Sequence, residues 1–214
     1  MLVSQDDFCK KTTRKFFCYT FLMLVGKDDA VLLFDSPKEF NAWLEKNHRN
    51  VQSVWLKFYK KGSKKVSINY DQALEEALCF GWIDGIAKKY DEESYLQRFT
   101  PRRPKGNWSK RNTEHVARLV KEGRMKPSGM AAVEAAKKDG RWEGAYHPAS
   151  TATIPEDFLQ EIARNKKAQE FFVTLSKSNI YAIAYRLQTA KKPETLKRRK
   201  EQILTMLESN EKFH

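Results

Sequence analysis

The sequence predicts an α+β fold in which a small N-terminal sheet with helices precedes an all-helical C-terminal part. Short apolar and aromatic runs alternate with helical patterns up to Pro101, whereas only helical spacing follows it. The chain has 214 residues, of which 41% are hydrophobic and 31% charged, which suits one domain or two small ones. Only 9 Gly and 7 Pro are present, which excludes a low-complexity chain.

The first thirty residues do not follow the regular pattern, and we expect residues 1–30 to form an extension outside the fold. A basic segment precedes an apolar run at 16–25, as in a secretory signal, but residues 26–29 include Lys and two Asp where cleavage requires small residues. Two other interpretations stay open: translation starts at Met23, or the run is a buried strand. No apolar run reaches the ~18–20 residues of a membrane-spanning helix.

Residues 31–149 are expected to form the α+β domain, whose strands alternate with helices. Runs rich in β-branched and aromatic residues predict strands at 31–34, 53–59, 83–89 and 94–100. The last two strands are separated by an acidic turn, which favours a hairpin. The sequence therefore predicts a small sheet that ends near Pro101.

Helix starts in this domain are marked by capping residues. Ser36 and Glu39 have the spacing of a capping box, and the intervening proline suits the first helical position, so a helix is expected to run to about Asn47. Asn69 and Gln72 predict a second capped helix, which the glycine at position 81 ends. Two further helices are predicted over 112–121 and 129–139.

Residues 150–214 are expected to form a separate helical domain, with the polar stretch 146–153 as the boundary. Pro155 precedes two acids, which favour the positive end of a helix, and further helices are predicted at 167–175, 179–190 and 193–209. Apolar residues recur at helical spacing within these segments. They predict a core of Phe158, Phe171, Phe172, Leu175, Ile183, Leu187, Ile203 and Leu207.

The positive charge of the chain is concentrated in its middle. The formal net charge is +13, and residues 101–149 carry 12 basic and 5 acidic residues. The window 98–126 contains ten basic residues and two acids. Such a local excess favours an anionic or polyanionic partner, although lysine-rich helices that are simply solvated explain it as well.

Motifs of known catalytic or metal sites are absent from the sequence. There is no P-loop, no G-x-S-x-G and no H-E-x-x-H, and the four histidines and three cysteines have no metal-ligand spacing. We therefore predict no metal, no cofactor and no recognisable catalytic residue. Three cysteines cannot form a disulfide framework, which favours a reducing, cytoplasmic location.

Three segments together resemble one family. They span 77–85 (ALCFGWIDG), 95–110 (from YLQRFTPRRP to NWSK) and 189–195 (TAKKPET). In this order they resemble the YdeI/OmpD-associated family, also labelled bacteriocin-protection proteins, over about 31–214. The resemblance implies a soluble, mainly bacterial protein, and the family name implies association with an outer-membrane porin or protection against antimicrobial peptides. It implies no settled catalytic residues.

The same segments supply the candidate ligand-binding residues. Alternate residues of an extended chain share a face, so Arg98, Thr100 and Arg102 are expected to form a cradle for a carboxylate or phosphate. An internal salt-bridge network is the equal alternative for these arginines. A core role for the tryptophan and a turn role for the aspartate also stay open. The complete predicted set is Trp82, Asp84, Arg98, Thr100, Arg102, Trp108 and Lys110.

Three classes of function follow from these residues. The first is a non-catalytic binding module whose arginine-rich site takes an anionic small molecule, a cell-wall fragment or a partner protein. The second is a nucleic-acid-binding protein that uses the basic region 98–126 with interleaved Phe99 and Trp108. The third, an enzyme using Asp84 with an arginine, lacks a partner base. We place them in this order.

Overall fold

The computed structural model describes residues 23–24 and 30–213. Within these residues, a sheet with interspersed helices precedes a part made of helices alone, which confirms the α+β class. The strands are β1 (Met23–Leu24), β2 (Ala30–Leu32), β3 (Val54–Tyr59), β4 (Trp82–Lys89) and β5 (Ser94–Pro101). The helices of the N-terminal part are α1 (Pro37–Asn47), α2 (Tyr70–Cys79), α3 (Lys110–Lys121) and α4 (Pro127–Lys138). The C-terminal helices are α5 (Glu156–Arg164), α6 (Lys166–Phe172), α7 (Lys177–Gln188) and α8 (Pro193–Glu208).

The described strands form one sheet in the order β1-β2-β3-β5-β4. β2 and β3 are parallel and are joined through α1, because parallel neighbours need a crossover connection. The other pairs are antiparallel, and β4 and β5 form the predicted hairpin.

Part of the expected N-terminal extension pairs with the sheet. Met23 and Leu24 lie opposite Val31 and Ala30 in the β1–β2 pair. Residues 1–22 and 25–29 lie outside the described residues, as does most of the apolar run 16–25. For these undescribed residues, the extension expected over 1–30 stays a prediction.

The two predicted capping boxes have different outcomes. At α2 the reciprocal pair is present: the Gln72 amide donates to Asn69 Oδ1 at 2.9 Å, and the Asn69 amide donates to Gln72 Oε1 at 3.1 Å. At α1 the capping box is wrong, because the Ser36 side chain makes no cap bond. The Glu39 carboxylate instead accepts from the Asp35 amide, at 3.0 Å. The helix still starts at Pro37, whose fixed backbone angle suits that position.

Two cores correspond to the two parts of the chain. In the first, α1 to α4 pack on one face of the sheet around Phe40, Leu56 and Phe99. In the second, the C-terminal helices pack on each other without strands. Five of the predicted C-terminal core residues are buried: Phe158, Ile183, Leu187, Ile203 and Leu207. The other three, Phe171, Phe172 and Leu175, pack partly buried against them.

We expect Leu207→Ala to destabilise the protein by about 2–5 kcal/mol, because the residue is 2% exposed and its removal leaves a cavity among α5 to α8. Chemical denaturation of the full chain measures the change. Val173→Ala, at an exposed position, is the control and is expected to stay within about 0.5 kcal/mol. An equally small change for Leu207→Ala would contradict the packing.

Candidate functional site

The predicted site residues lie at the end of the β4–β5 hairpin and on the loop that follows it, but they are divided between the two faces of the sheet. Asp84 pairs with Phe99, so both side chains lie on the face that carries the main core. Arg98 and Thr100 flank Phe99 in the strand and therefore belong to the opposite face. Alternation thus places Arg98 and Thr100 on the face away from Asp84, and a cradle formed by Arg98, Thr100 and Arg102 stays a prediction.

Two of the seven predicted residues, Trp82 and Arg98, make side-chain hydrogen bonds with other parts of the fold. Trp82 is 1% exposed, and its indole Nε1 donates to the His48 carbonyl oxygen at 3.2 Å, so it fills the core beneath α1. Arg98 donates through Nη2 to Ser53 Oγ at 3.0 Å. These contacts describe what holds the two side chains, and a ligand-binding role for either stays a prediction.

Arg102 lies where the hairpin ends and the loop begins. Its backbone amide donates to the Gly81 carbonyl at 2.9 Å, which continues the hairpin pairing by one bond. The guanidinium carbon lies 3.5 Å from the centre of the Trp108 ring, and Nη2 is 3.4 Å from the Asn107 carbonyl oxygen. Trp108 is buried and packs on Trp142 at 5.0 Å between ring centres. The guanidinium is therefore held flat on a rigid aromatic surface.

Asp84 lies on the neighbouring strand β4, opposite Phe99, which precedes Arg102 by three residues. The Tyr70 hydroxyl, from the first turn of α2, donates to Asp84 Oδ2 at 2.9 Å. A bulge follows between Asp84 and Ala87, and Gln97 Nε2 donates to the Gly85 carbonyl at 2.9 Å. A bulge of this kind changes the direction of the strand next to it. Burial first, and then the charge of Asp84, raise the pKa of Tyr70, so its hydroxyl stays protonated as a donor.

Tyr146 brings the C-terminal helices to this site. Its amide donates to the Trp108 carbonyl at 2.9 Å, and its carbonyl accepts from the Lys110 amide at 2.8 Å. Its ring meets Tyr185 of α7 edge-on at 4.9 Å. Burial and then the neighbouring tyrosines raise the pKa of Tyr146, whereas Arg102 lowers it. Tyr70, Asp84, Arg102, Trp108 and Tyr146 are connected by these contacts and by the charges that act between them, and we call this group the Arg102 cleft.

Sequence analysis missed the tyrosines of this cleft. Tyr70 follows a helix cap and Tyr146 lies in a polar connection, and neither belongs to a periodic pattern. They meet Asp84 and Arg102 only through the packing of α2 and of the connection against the hairpin. Lys110, which was predicted, takes part through its backbone amide at the start of α3.

The electrostatics of Arg102 differ from those of its basic neighbours. Burial lowers the pKa of its guanidinium to about 10, against the opposing influence of Tyr146 and Asp84. Among the described residues it has no carboxylate within 4 Å, and its hydrogen-bonding partner is a backbone carbonyl. A poorly solvated cation without an ion-pair partner gains from an incoming anion.

Four of the other nine basic side chains in the window 98–126 contact acids of α1 and α2. Arg111 pairs with Asp71 at 2.6 Å, and Lys126 pairs with Glu45 at 3.2 Å. Arg118 and Arg124 both contact Glu75. The local charge excess seen in the sequence is therefore balanced in part by partners from earlier helices.

Within the described part of the chain, no group of three or more His, Cys, Asp or Glu is placed to hold a metal ion. No described helix is long and apolar enough to cross a membrane. Cys79 is buried at the end of α2, and burial raises the pKa of its thiol to about 12. Its thiol is thus protonated at neutral pH and is a poor nucleophile.

The fold and the cleft define a two-part protein, an α+β unit with a cationic cleft and a helical unit that contacts it. Comparison with family models gives one match for each part. Residues 151–210 match the family described as bacteriocin-protection, YdeI or OmpD-associated. Residues 32–132 match a domain of unknown function, DUF8412. No curated protein matches the chain, and no solved structure does.

The resemblance stated from the motifs is confirmed over residues 151–210, which include the segment 189–195. The other two motifs, at 77–85 and 95–110, lie in the region that matches DUF8412. The family match therefore covers the helical part, while the Arg102 cleft is built mainly by the other part. The YdeI/OmpD-associated domain suggests a function of the bacteriocin-protection type.

Proposed function

We propose that this chain is a non-catalytic binding protein of the bacteriocin-protection type and that its Arg102 cleft takes the anionic group of a ligand. The observation that carries the proposal is the guanidinium of Arg102, which is stacked on Trp108 and has no carboxylate partner among the described residues. Arginine in this state offers two parallel donors to a carboxylate or phosphate.

The surroundings of the guanidinium support a small ligand. Tyr146 keeps its proton at neutral pH, so its hydroxyl is a donor near the cation, whereas the one proton of Tyr70 is already donated to Asp84. Asp84 is negative, but one of its oxygens accepts from Tyr70, which moderates its repulsion of an anion. A carboxylate of a small molecule or of a cell-wall fragment suits this balance better than a polyphosphate, whose charge Arg102 alone would not match.

The partners of the charged side chains also make the two alternative functions, nucleic-acid binding and catalysis, weaker proposals. Nucleic-acid binding needs several cations that are free to contact phosphates, and Arg111, Arg118 and Arg124 have carboxylate partners. An enzymatic role would require a base next to Asp84, and Tyr70 occupies that position as a donor. A stress-protection role in the cytoplasm accompanies the binding proposal.

The test compares two neighbouring arginines. We expect Arg102→Gln to weaken ligand binding roughly 10–150-fold, the equivalent of one lost charged hydrogen bond or bidentate pair, with a nearly unchanged melting temperature. A thermal-shift screen of anionic metabolites and peptidoglycan fragments identifies the ligand, and calorimetry measures the affinities. Arg103→Gln removes the same charge from the exposed next position and is expected to leave binding within about twofold.

Two results would overturn the proposal. One is the absence of any shift with the whole panel at millimolar concentration. The other is strong destabilisation by Arg102→Gln, which would mean that the guanidinium is structural. Comparing Arg98→Gln with the double change of Arg98 and Arg102 tests whether the predicted second arginine contributes from its position on the other face of the strand.

A further inference from the structure

The C-terminal helices carry a second groove that the proposed function does not use. It lies between α7, α8 and the segment that follows α8, and it has a volume of about 540 Å³. This size is in the range of small-molecule and short-peptide sites. Its walls combine cationic and apolar side chains: Arg186, Arg198, Arg199, Ile203, Met206 and Phe213.

The three arginines of the groove lack acidic partners. Arg186 lies 3.6 Å from the centre of the Phe213 ring and donates to the Ala182 carbonyl, at 3.2 Å. Arg199 donates to Thr189 Oγ1 at 3.0 Å and to the Arg186 carbonyl. Among the described residues, no carboxylate lies within 4 Å of any of these three guanidinium groups. Several donor positions therefore stay open towards the groove.

On the opposite side of α8, by contrast, a cation does have acidic partners. Lys200 pairs there with Asp157 and Glu161 of α5. The arginines on the groove side have only Glu201 as an acidic neighbour in the lining, so the groove keeps a net positive charge. The cations on the groove side therefore have neutral contacts in place of acids, among them the hydrogen bonds by which Arg199 joins α8 to the end of α7.

The buried side-chain amide of Asn179 indicates that the ligand also carries a hydrogen-bond donor. Asn179 of α7 is 6% exposed, and its Nδ2 donates to Ser176 Oγ at 2.9 Å, while Oδ1 has no partner. Asn179 lines a small cavity of about 10 Å³, which otherwise has mostly apolar walls and barely holds one water. The residues Ile203, Met206 and Phe213 line both this cavity and the groove. A donor from a ligand in the groove would satisfy the amide oxygen once the Phe213 ring is displaced.

We propose that this groove binds the C-terminal end of a peptide whose last residue is apolar. The terminal carboxylate pairs with Arg198 and Arg199, and the last side chain lies on the apolar wall. A backbone N–H of the peptide donates to Asn179 Oδ1. The terminal carboxylate suits the guanidinium groups, and the apolar side chain suits the apolar wall. The peptide N–H suits the amide oxygen that has no partner.

Calorimetric titration of the full chain with N-acetyl-Leu-Phe as the free acid tests the proposal. We expect the free acid to bind and the same peptide with a C-terminal amide to bind at least tenfold more weakly, because it lacks the charge. Arg198→Gln is expected to cause a similar loss. Lys197→Gln, an exposed cation one residue earlier in α8, is the matched control and is expected to leave the affinity unchanged.

Asn179→Leu separates a binding role from a structural one. It removes a polar group that lacks one partner, so we expect weaker peptide binding with no fall in melting temperature. No detectable heat with the free acid would overturn the proposal, as would equal affinities for acid and amide. A loss for Lys197→Gln as large as that for Arg198→Gln would also overturn it, because only general charge would then be involved.

Discussion

Replacing Arg124 with methionine is expected to destabilise the protein by about 3–5 kcal/mol, because the change leaves a buried carboxylate without its cationic partner. That carboxylate is Glu76 of α2, which is 6% exposed. It accepts from Arg124 Nη2 at 2.7 Å and from Asn41 Nδ2 at 2.6 Å. The amide alone does not neutralise the charge, so the full cost of burying it appears in the variant.

The position of Arg124 explains why one residue matters so much. It also contacts Glu75 and Glu122, each at 3.1 Å, and so joins α2 to the end of α3. Burial by itself would lower the pKa of the Arg124 guanidinium, but the hydrogen bond to Glu122 and the charge of Glu76 outweigh it and raise the pKa. The ion pairs therefore stabilise the charged form in the folded protein.

Arg118→Met is the matched control for this prediction. Arg118 pairs with Glu75 and Glu122 as well, but its side chain is more exposed and it does not reach Glu76. Solvent screens such pairs, so we expect a much smaller loss than for the Arg124 variant. Urea denaturation of both variants measures the difference. Similar losses in the two variants would show that burial of Glu76 is not the cause.

Replacing Gly129 with alanine is the second change with a large expected effect, a loss of about 1–3 kcal/mol or more. Alanine in a helix normally stabilises by about 1 kcal/mol over glycine, so the sign is reversed here. The reason is close packing: a Cβ at Gly129 would lie 2.2 Å from the Cys79 carbonyl oxygen and 2.9 Å from Met125 Cε. The backbone of α4 or of the end of α2 must move to accept it.

Movement of the end of α2 would also shift the backbone next to the Arg102 cleft. Cys79 is two residues before Gly81, whose carbonyl accepts from the Arg102 amide. Gly81 itself has a φ of +76° and lies against Ser128, so it has little freedom to adjust. We therefore expect Gly129→Ala to weaken ligand binding in the cleft in addition to lowering stability.

Gly123→Ala provides the comparison for Gly129→Ala. Gly123 also has a positive φ, of +67°, but a Cβ there meets no atom within 4 Å. Only backbone strain of about 1–2 kcal/mol is expected, with unchanged binding. Thermal unfolding followed by binding measurements distinguishes the two variants. A gain in stability for Gly129→Ala would contradict the close contact.

The features that sequence analysis predicted well are local ones. The Asn69–Gln72 capping box depends on residues three apart, and both of its hydrogen bonds are present. The buried positions of α5 to α8 follow from apolar spacing within each helix. The capping box predicted for Ser36 and Glu39 was wrong, because the same spacing also lets the Glu39 carboxylate accept from the Asp35 amide.

The sequence by itself determined the α+β order, the capped start of α2 and the apolar faces of the C-terminal helices, because neighbouring residues specify each of them. Only the tertiary structure decided which arginines of the window 98–126 find an acidic partner on α2. Arg111, Arg118 and Arg124 find their carboxylates 40 to 49 residues away along the chain, on α2. Arg102 does not, because its guanidinium lies on Trp108 and the nearby Asp84 bonds Tyr70. Ion pairing depends on distances of a few ångströms, and only the packing of α2, the hairpin and the loop fixes those distances.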